Sequence, residues 1–102
     1  MTLQFSPQGD SLYLYLSGEL DECSVSTVRA QADRIIDEHA GLSRAIFNLA
    51  GVRFMDSTGI GFLIGRYKKL QKYGMQMLLE NPDRSADKVL MLSGVYSLIP
   101  KI

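Results

Sequence analysis

The sequence predicts an α/β domain: a mixed, mostly parallel sheet opened by an antiparallel hairpin and packed with helices. Three observations predict it. Residues 11–17 (SLYLYLS) set Leu12, Leu14 and Leu16 on one face and Tyr13 and Tyr15 on the other, the period-two pattern of a strand. Residues 44–49 (RAIFNL) and 75–79 (MQMLL) are short apolar runs, as buried strands are. The stretches around them carry apolar residues three and four apart, the helical period. Alternating helix and strand in one compact unit brings strands parallel through right-handed crossovers.

Taken in order, residues 3–7 (LQFSP) form a first strand, and Pro7-Gln8-Gly9-Asp10 turns it into the second. Gly18 is expected to break that second strand. Asp21 or Ser24 then caps a helix running to about His39, with Val25, Val28, Ala32, Ile35 and Ile36 inward. On this reading Arg29, Asp33, Arg34 and Asp37 fill the other face. A second helix covers residues 57–73, with Ile60, Leu63, Ile64, Tyr67 and Leu70 recurring at helical spacing and Gly74 as its stop. Asn81-Pro82-Asp83 opens a third helix, because proline suits a first turn, and Gly94 ends it. The apolar tail from Val95 to Ile99 is expected to dock on the core, with Pro100 closing it. Residues 1–102 fit one domain.

Composition narrows the function. Eleven basic residues balance eleven acidic ones, which gives no support to general nucleic-acid binding. Cys23 is the only cysteine, so no internal disulfide forms, and the start lacks the basic and apolar segments of a secretory signal. No run reaches the ~20 apolar residues of a membrane helix. A reducing cytoplasm is the expected location, without a membrane or nucleic-acid partner.

The chemistry concentrates in Val52–Gly61, VRFMDSTGIG, which joins the third strand to the second helix. In open α/β sheets, ligands and partners meet the loops at the carboxyl ends of strands. Asp56 is placed to cap the helix, and Ser57 and Thr58 fall in its first turn, beside unpaired N–H groups and the positive end of the dipole. Phosphate on such a hydroxyl adds about 1.5–2 negative charges without melting the helix. A surface fitted to the bare hydroxyl would then lose its fit. A plain helix N-terminus explains the same Asp-Ser-Thr. Three glycines (Gly59, Gly61 and Gly65) within two turns, each costing up to ~1 kcal/mol against alanine, point to another surface close to this helix.

Enzyme and cofactor readings fare worse on the same residues. Met55 stands where a G-x-S-x-G elbow needs glycine, and the only histidine, His39, is remote in sequence. A phosphate-binding P-loop fails after Gly65, where Arg66-Tyr67 follows. Gly59-x-Gly61-x-x-x-Gly65, with Glu80 ending the next strand, approximates a dinucleotide loop but is one residue too long. One His and one Cys provide no metal cluster. Catalysis, a metal and a cofactor are therefore not expected. Arg66, Lys68, Lys69 and Lys72 read as a solvated, basic helix end.

Gly18-Glu19-Leu20-Asp21, Phe54-Met55-Asp56-Ser57-Thr58-Gly59-Ile60-Gly61, Gly65-Arg66-Tyr67-Lys68 and Leu92-Ser93-Gly94 together resemble the bacterial anti-sigma-factor antagonists with the STAS fold, most of all their sporulation branch. The likeness covers nearly the whole chain. It implies a partner switch. The unphosphorylated protein would bind an anti-sigma factor that is also a serine kinase and so free the sigma factor. That kinase would phosphorylate Ser57 and end the binding, and a serine phosphatase would reset it. By resemblance the partner surface comprises Glu19, Asp21, Asp56, Ser57, Thr58, Gly59, Ile60 and Gly61. Relatives often have Ser at the place of Thr58, and are expected to continue past Ile102 with another helical stretch. A STAS-type sensor or scaffold module, or a nucleotide-binding one, is the alternative the same motif allows.

Overall fold

The computed structural model describes Met1–Ile102. Strand β1 (Thr2–Gln8) and β2 (Ser11–Leu20) form the hairpin, followed by helix α1 (Val25–Glu38), β3 (Arg44–Met55), α2 (Ser57–Lys72), β4 (Gln76–Glu80), α3 (Arg84–Ser93) and a short 3-10 turn at Val95–Ser97. The sheet order is β1-β2-β3-β4. β1 and β2 pair antiparallel, while β2–β3 and β3–β4 pair parallel. This is the mixed, mostly parallel sheet expected from the alternation of elements.

One cluster of buried side chains joins the layers. It takes Leu12, Leu14, Leu16 and Leu20 from β2, Phe47 and Leu49 from β3, Ile36 from α1, and Leu63 and Leu70 from α2. Leu90, Val95 and Ile99 extend it to the C-terminal segment, so the apolar tail does dock. Residues 100–102 then pair beside β4: Leu79 N–H donates to Pro100 O at 2.9 Å and Ile102 N–H to Leu79 O at 2.8 Å. That bridge covers the outer edge of β4 at Leu79.

Two strands run longer than their sequence patterns suggest. β2 continues through Gly18 to Leu20, with Gly18 at φ 116° and the pairing to β3 shifting on either side of it. Gly18 does not break the strand: it stays paired with Val52, and the extra residues at the two register shifts lie on β3, where they bend that strand and raise its twist. β3 reaches Met55 because the small residues after Leu49 let the neighbouring strand close in. A side chain at Gly51 would meet Ser17 Oγ at 2.8 Å and Leu16 O at 2.9 Å. The shared result is that β2 and β3 finish level, with Glu19 opposite Phe54 and Leu20 opposite Met55. The loops that follow, starting at Asp21 and Asp56, therefore leave the sheet side by side.

Candidate functional site

Each of those two aspartates organises the chain that follows it. Asp21 Oδ1 accepts from Cys23 N–H at 3.0 Å and Ser24 N–H at 3.1 Å, closing a turn before α1. Ser24 Oγ donates back to Glu19 O at 2.7 Å, which ties that turn to the end of β2. Ser24 itself makes no side-chain cap on α1, so Asp21 holds this turn while α1 starts four residues later. Asp56 caps α2 directly: its Oδ1 accepts from Thr58 N–H at 2.9 Å and from Gly59 N–H at 3.4 Å.

Ser57, the first residue of α2, is exposed, whereas Thr58 beside it is half-buried. Gly59 is buried against the sheet ends. A β-carbon there would lie 2.6 Å from Met55 Cγ and 3.1 Å from both Leu20 Cγ and Leu20 O. The close surface anticipated from the glycines is thus the sheet beneath, and only Gly59 meets it. Gly61 and Gly65 have open space where a side chain would stand. All three lie inside α2 and none in a strand-to-helix loop. Ile60 packs against the core, half-buried. The eight residues singled out from the sequence, Glu19, Asp21 and Asp56 through Gly61, therefore cluster at one end of the sheet.

The structure adds residues that the sequence pattern does not single out. Phe54 is 50% exposed at the end of β3, opposite Glu19, a large apolar ring beside the Asp56–Ser57 corner. Arg66 corrects the reading of a solvated basic helix end: it is buried between α1 and α2. Its Nε lies 2.9 Å from Asp33 Oδ1, so Asp33 is not on a purely solvent face either. The N–H is not aligned with that line, and Arg66 Nε and Nη1 and Asp33 Oδ1 have no hydrogen-bond partner. The contact is an ion pair of charges without a formed hydrogen bond. Burial lowers the Arg66 pKa, Asp33 opposes this, and nearby Arg29 adds to the lowering. The Arg66 guanidinium also sits 5.1 Å from the Phe62 ring centre. Lys69 keeps to the surface, 2.9 Å from Asp37.

No group of three or more His, Cys, Asp and Glu side chains is arranged to hold a metal ion. No helix is long and apolar enough to cross a membrane.

Comparison with known proteins matches this architecture to one family. The STAS domain description fits residues 3–102. The chain is 33% identical over 89 residues to the anti-sigma F factor antagonist of Paenibacillus polymyxa, spanning 87% of this chain and 75% of that protein. Among solved structures, the anti-sigma factor antagonist SpoIIAA in its unphosphorylated form superposes with a TM-score of 0.80 at 27% identity, covering 99% of this chain and 88% of that one. The Bacillus cell fate determinant SpoIIAA in its phosphorylated form superposes with a TM-score of 0.71, again at 27% identity, covering 99% and 91%. With the sheet order, the capped α2 and these similarities in place, the chain belongs to the STAS domain family, among the anti-sigma-factor antagonists.

Proposed function

We propose that the chain is a single-domain, non-enzymatic anti-sigma-factor antagonist of the cytoplasm, switched by phosphorylation of Ser57. In its bare form it binds an anti-sigma factor that is also a serine kinase, and so releases a sigma factor, as in sporulation control. That kinase modifies Ser57, binding is lost, and a serine phosphatase restores it. The observation that carries this reading is the position of Ser57: exposed, first in α2, beside a helix mouth already capped by Asp56.

The chemistry follows from that position. The Asp56 carboxylate holds the first-turn amides of α2 with or without a modification, so the helix keeps its cap. Phosphate on Ser57 adds a bulky dianion next to that carboxylate. Like charges at such short range repel, and the added charge and bulk spoil a partner surface fitted to the bare hydroxyl. Exposed Phe54 and the carboxylates of Glu19 and Asp21 share this end of the molecule and form the rest of the docking face. The greater exposure of Ser57 over Thr58 favours it as the kinase's target. That SpoIIAA has been solved both unphosphorylated and phosphorylated, each resembling this chain, supports a modification that leaves the fold in place.

The test is to mix the protein with the cognate anti-sigma-factor kinase and ATP. Phosphate should appear on Ser57 and be absent in Ser57→Ala. Ser57→Asp should bind that partner at least tenfold more weakly than the parent. Equal binding by Ser57→Asp and the fully phosphorylated protein to that of the parent would sink the switch.

A further inference from the structure

A cleft of about 330 Å³ opens between α1 and α2, one residue along the helix from Ser57. Val25 and Arg29 line it from α1, and Thr58, Gly61, Phe62 and Arg66 from α2. The spacing explains the arrangement. Thr58, Phe62 and Arg66 stand four apart on one stripe of α2, and Val25 and Arg29 four apart on α1. Helical side chains lean toward the N-terminus, which carries the Arg66 head back over Phe62 toward Thr58. Gly61 has no side chain to close the mouth, and nothing else stands within 4 Å of where one would be.

Its donors are in excess. Arg66 is 7% exposed, yet its Nη1 has no hydrogen-bond partner, and its Nε lacks an aligned one. A buried donor left unmatched is costly, and a guanidinium more so. Asp33 offsets part of the charge on Arg66 through Oδ1. Arg29 has no salt-bridge partner within 4 Å and adds a second positive charge to the same cleft. Thr58, in the first turn of α2, completes the lining. Two guanidinium groups on facing helices favour a compact tetrahedral anion.

We propose that this cleft binds a phosphate-type oxyanion, held by Arg29 and Arg66 with Thr58 as a further hydrogen-bond partner. Two sources share that chemistry: a free phosphate or phosphate-bearing small molecule, and a phosphoryl group on the adjacent Ser57. The cleft does not require Ser57 to be modified, so it stands apart from the switch proposed above.

The experiment follows the Arg66 Nε–Hε and Thr58 amide signals by NMR in the intact chain. In one arm, unmodified protein is titrated with inorganic phosphate, and with chloride at matched ionic strength. In the other, phosphoserine is installed at position 57 during synthesis, which needs no kinase, and no free phosphate is added. Saturable shifts with phosphate but not chloride identify a free oxyanion. Shifts of the same signals only in the phosphoserine protein identify the attached group. Either effect should weaken about tenfold or more in Arg29→Gln, whose side chain is exposed, and in Gly61→Leu, which covers the mouth. Signals unmoved in both arms, or moved equally by chloride, overturn the site. Partner binding is not the readout, so failure here leaves the Ser57 switch standing, and failure of the switch leaves the cleft standing.

Discussion

Gly59 sits so close to Leu20 that an added methyl group would press on its backbone: the β-carbon would be 3.1 Å from the Leu20 carbonyl oxygen. This contact fastens the first turn of α2 to the end of β2 and sets how far Asp56 and Ser57 stand above the sheet. Gly59→Ala should therefore destabilise the protein by about 1–3 kcal/mol, since backbone cannot move aside as a flexible side chain can. Gly61→Ala is the contrasting case, with open space around it. It should stabilise by up to ~1 kcal/mol through helix propensity. Urea denaturation of both variants checks the pair, and equal effects would refute the account of the two glycines.

The cap makes a separable prediction. Asp56→Ala removes the acceptor for the Thr58 and Gly59 amides and should cost about 1 kcal/mol. Asp56→Asn keeps a capping oxygen and should restore most of that stability. Comparing partner binding of the two then isolates the charge of Asp56 from its role in holding α2.

Across the α1–α2 seam, Asp33→Ala leaves the Arg66 charge buried without its counter-ion. The expected loss is about 1–3 kcal/mol, below that of a fully buried pair because Asp33 is one-third exposed. Arg66→Met combined with Asp33→Ala should cost clearly less than the sum of the single changes, since an apolar chain of similar length needs no partner. A double-mutant cycle by chemical denaturation measures this, and strict additivity would exclude a working ion pair.

Acid stability should depend on the C-terminal segment. Asp87 accepts from the Tyr96 hydroxyl at 2.5 Å and from Lys101 Nζ at 2.9 Å. These bonds, Tyr96 first, hold the Asp87 carboxyl below its usual pKa. A depressed carboxyl contributes stability above its unfolded pKa of about 4 and loses it as pH falls through the lower folded value. The advantage of the parent over Asp87→Asn should thus be full near pH 6 and shrink on acidifying below about pH 4. Tyr96 works in the opposite direction: burial and Asp87 raise its pKa, so its contribution holds below the usual tyrosine value near 10 and fades as pH climbs past it. Denaturation midpoints across pH test both limbs.

Much of this was legible along the chain. Alternating leucines marked β2, helical spacing marked α1 and α2, and an aspartate ahead of a Ser-Thr pair marked the cap at Asp56, because each depends on residues within a few positions of one another. Gly18 misled for a related reason. Glycine reads locally as a stop, but Gly18 stays paired with Val52 and Gly51 lets β2 come close to β3, relations visible only once the strands are side by side.

What the residues determined alone was the kind and order of the elements and the placing of Ser57 at a helix mouth. The sheet order, the level ends that bring Asp21 beside Asp56, and the burial of Arg66 against Asp33 and Phe62 were decided only by the tertiary structure. Spacing tells which side chains share a face of a helix or strand. Which face meets which is set by packing between segments far apart in sequence, and a charged residue such as Arg66 turns inward only when that packing supplies its counter-charge.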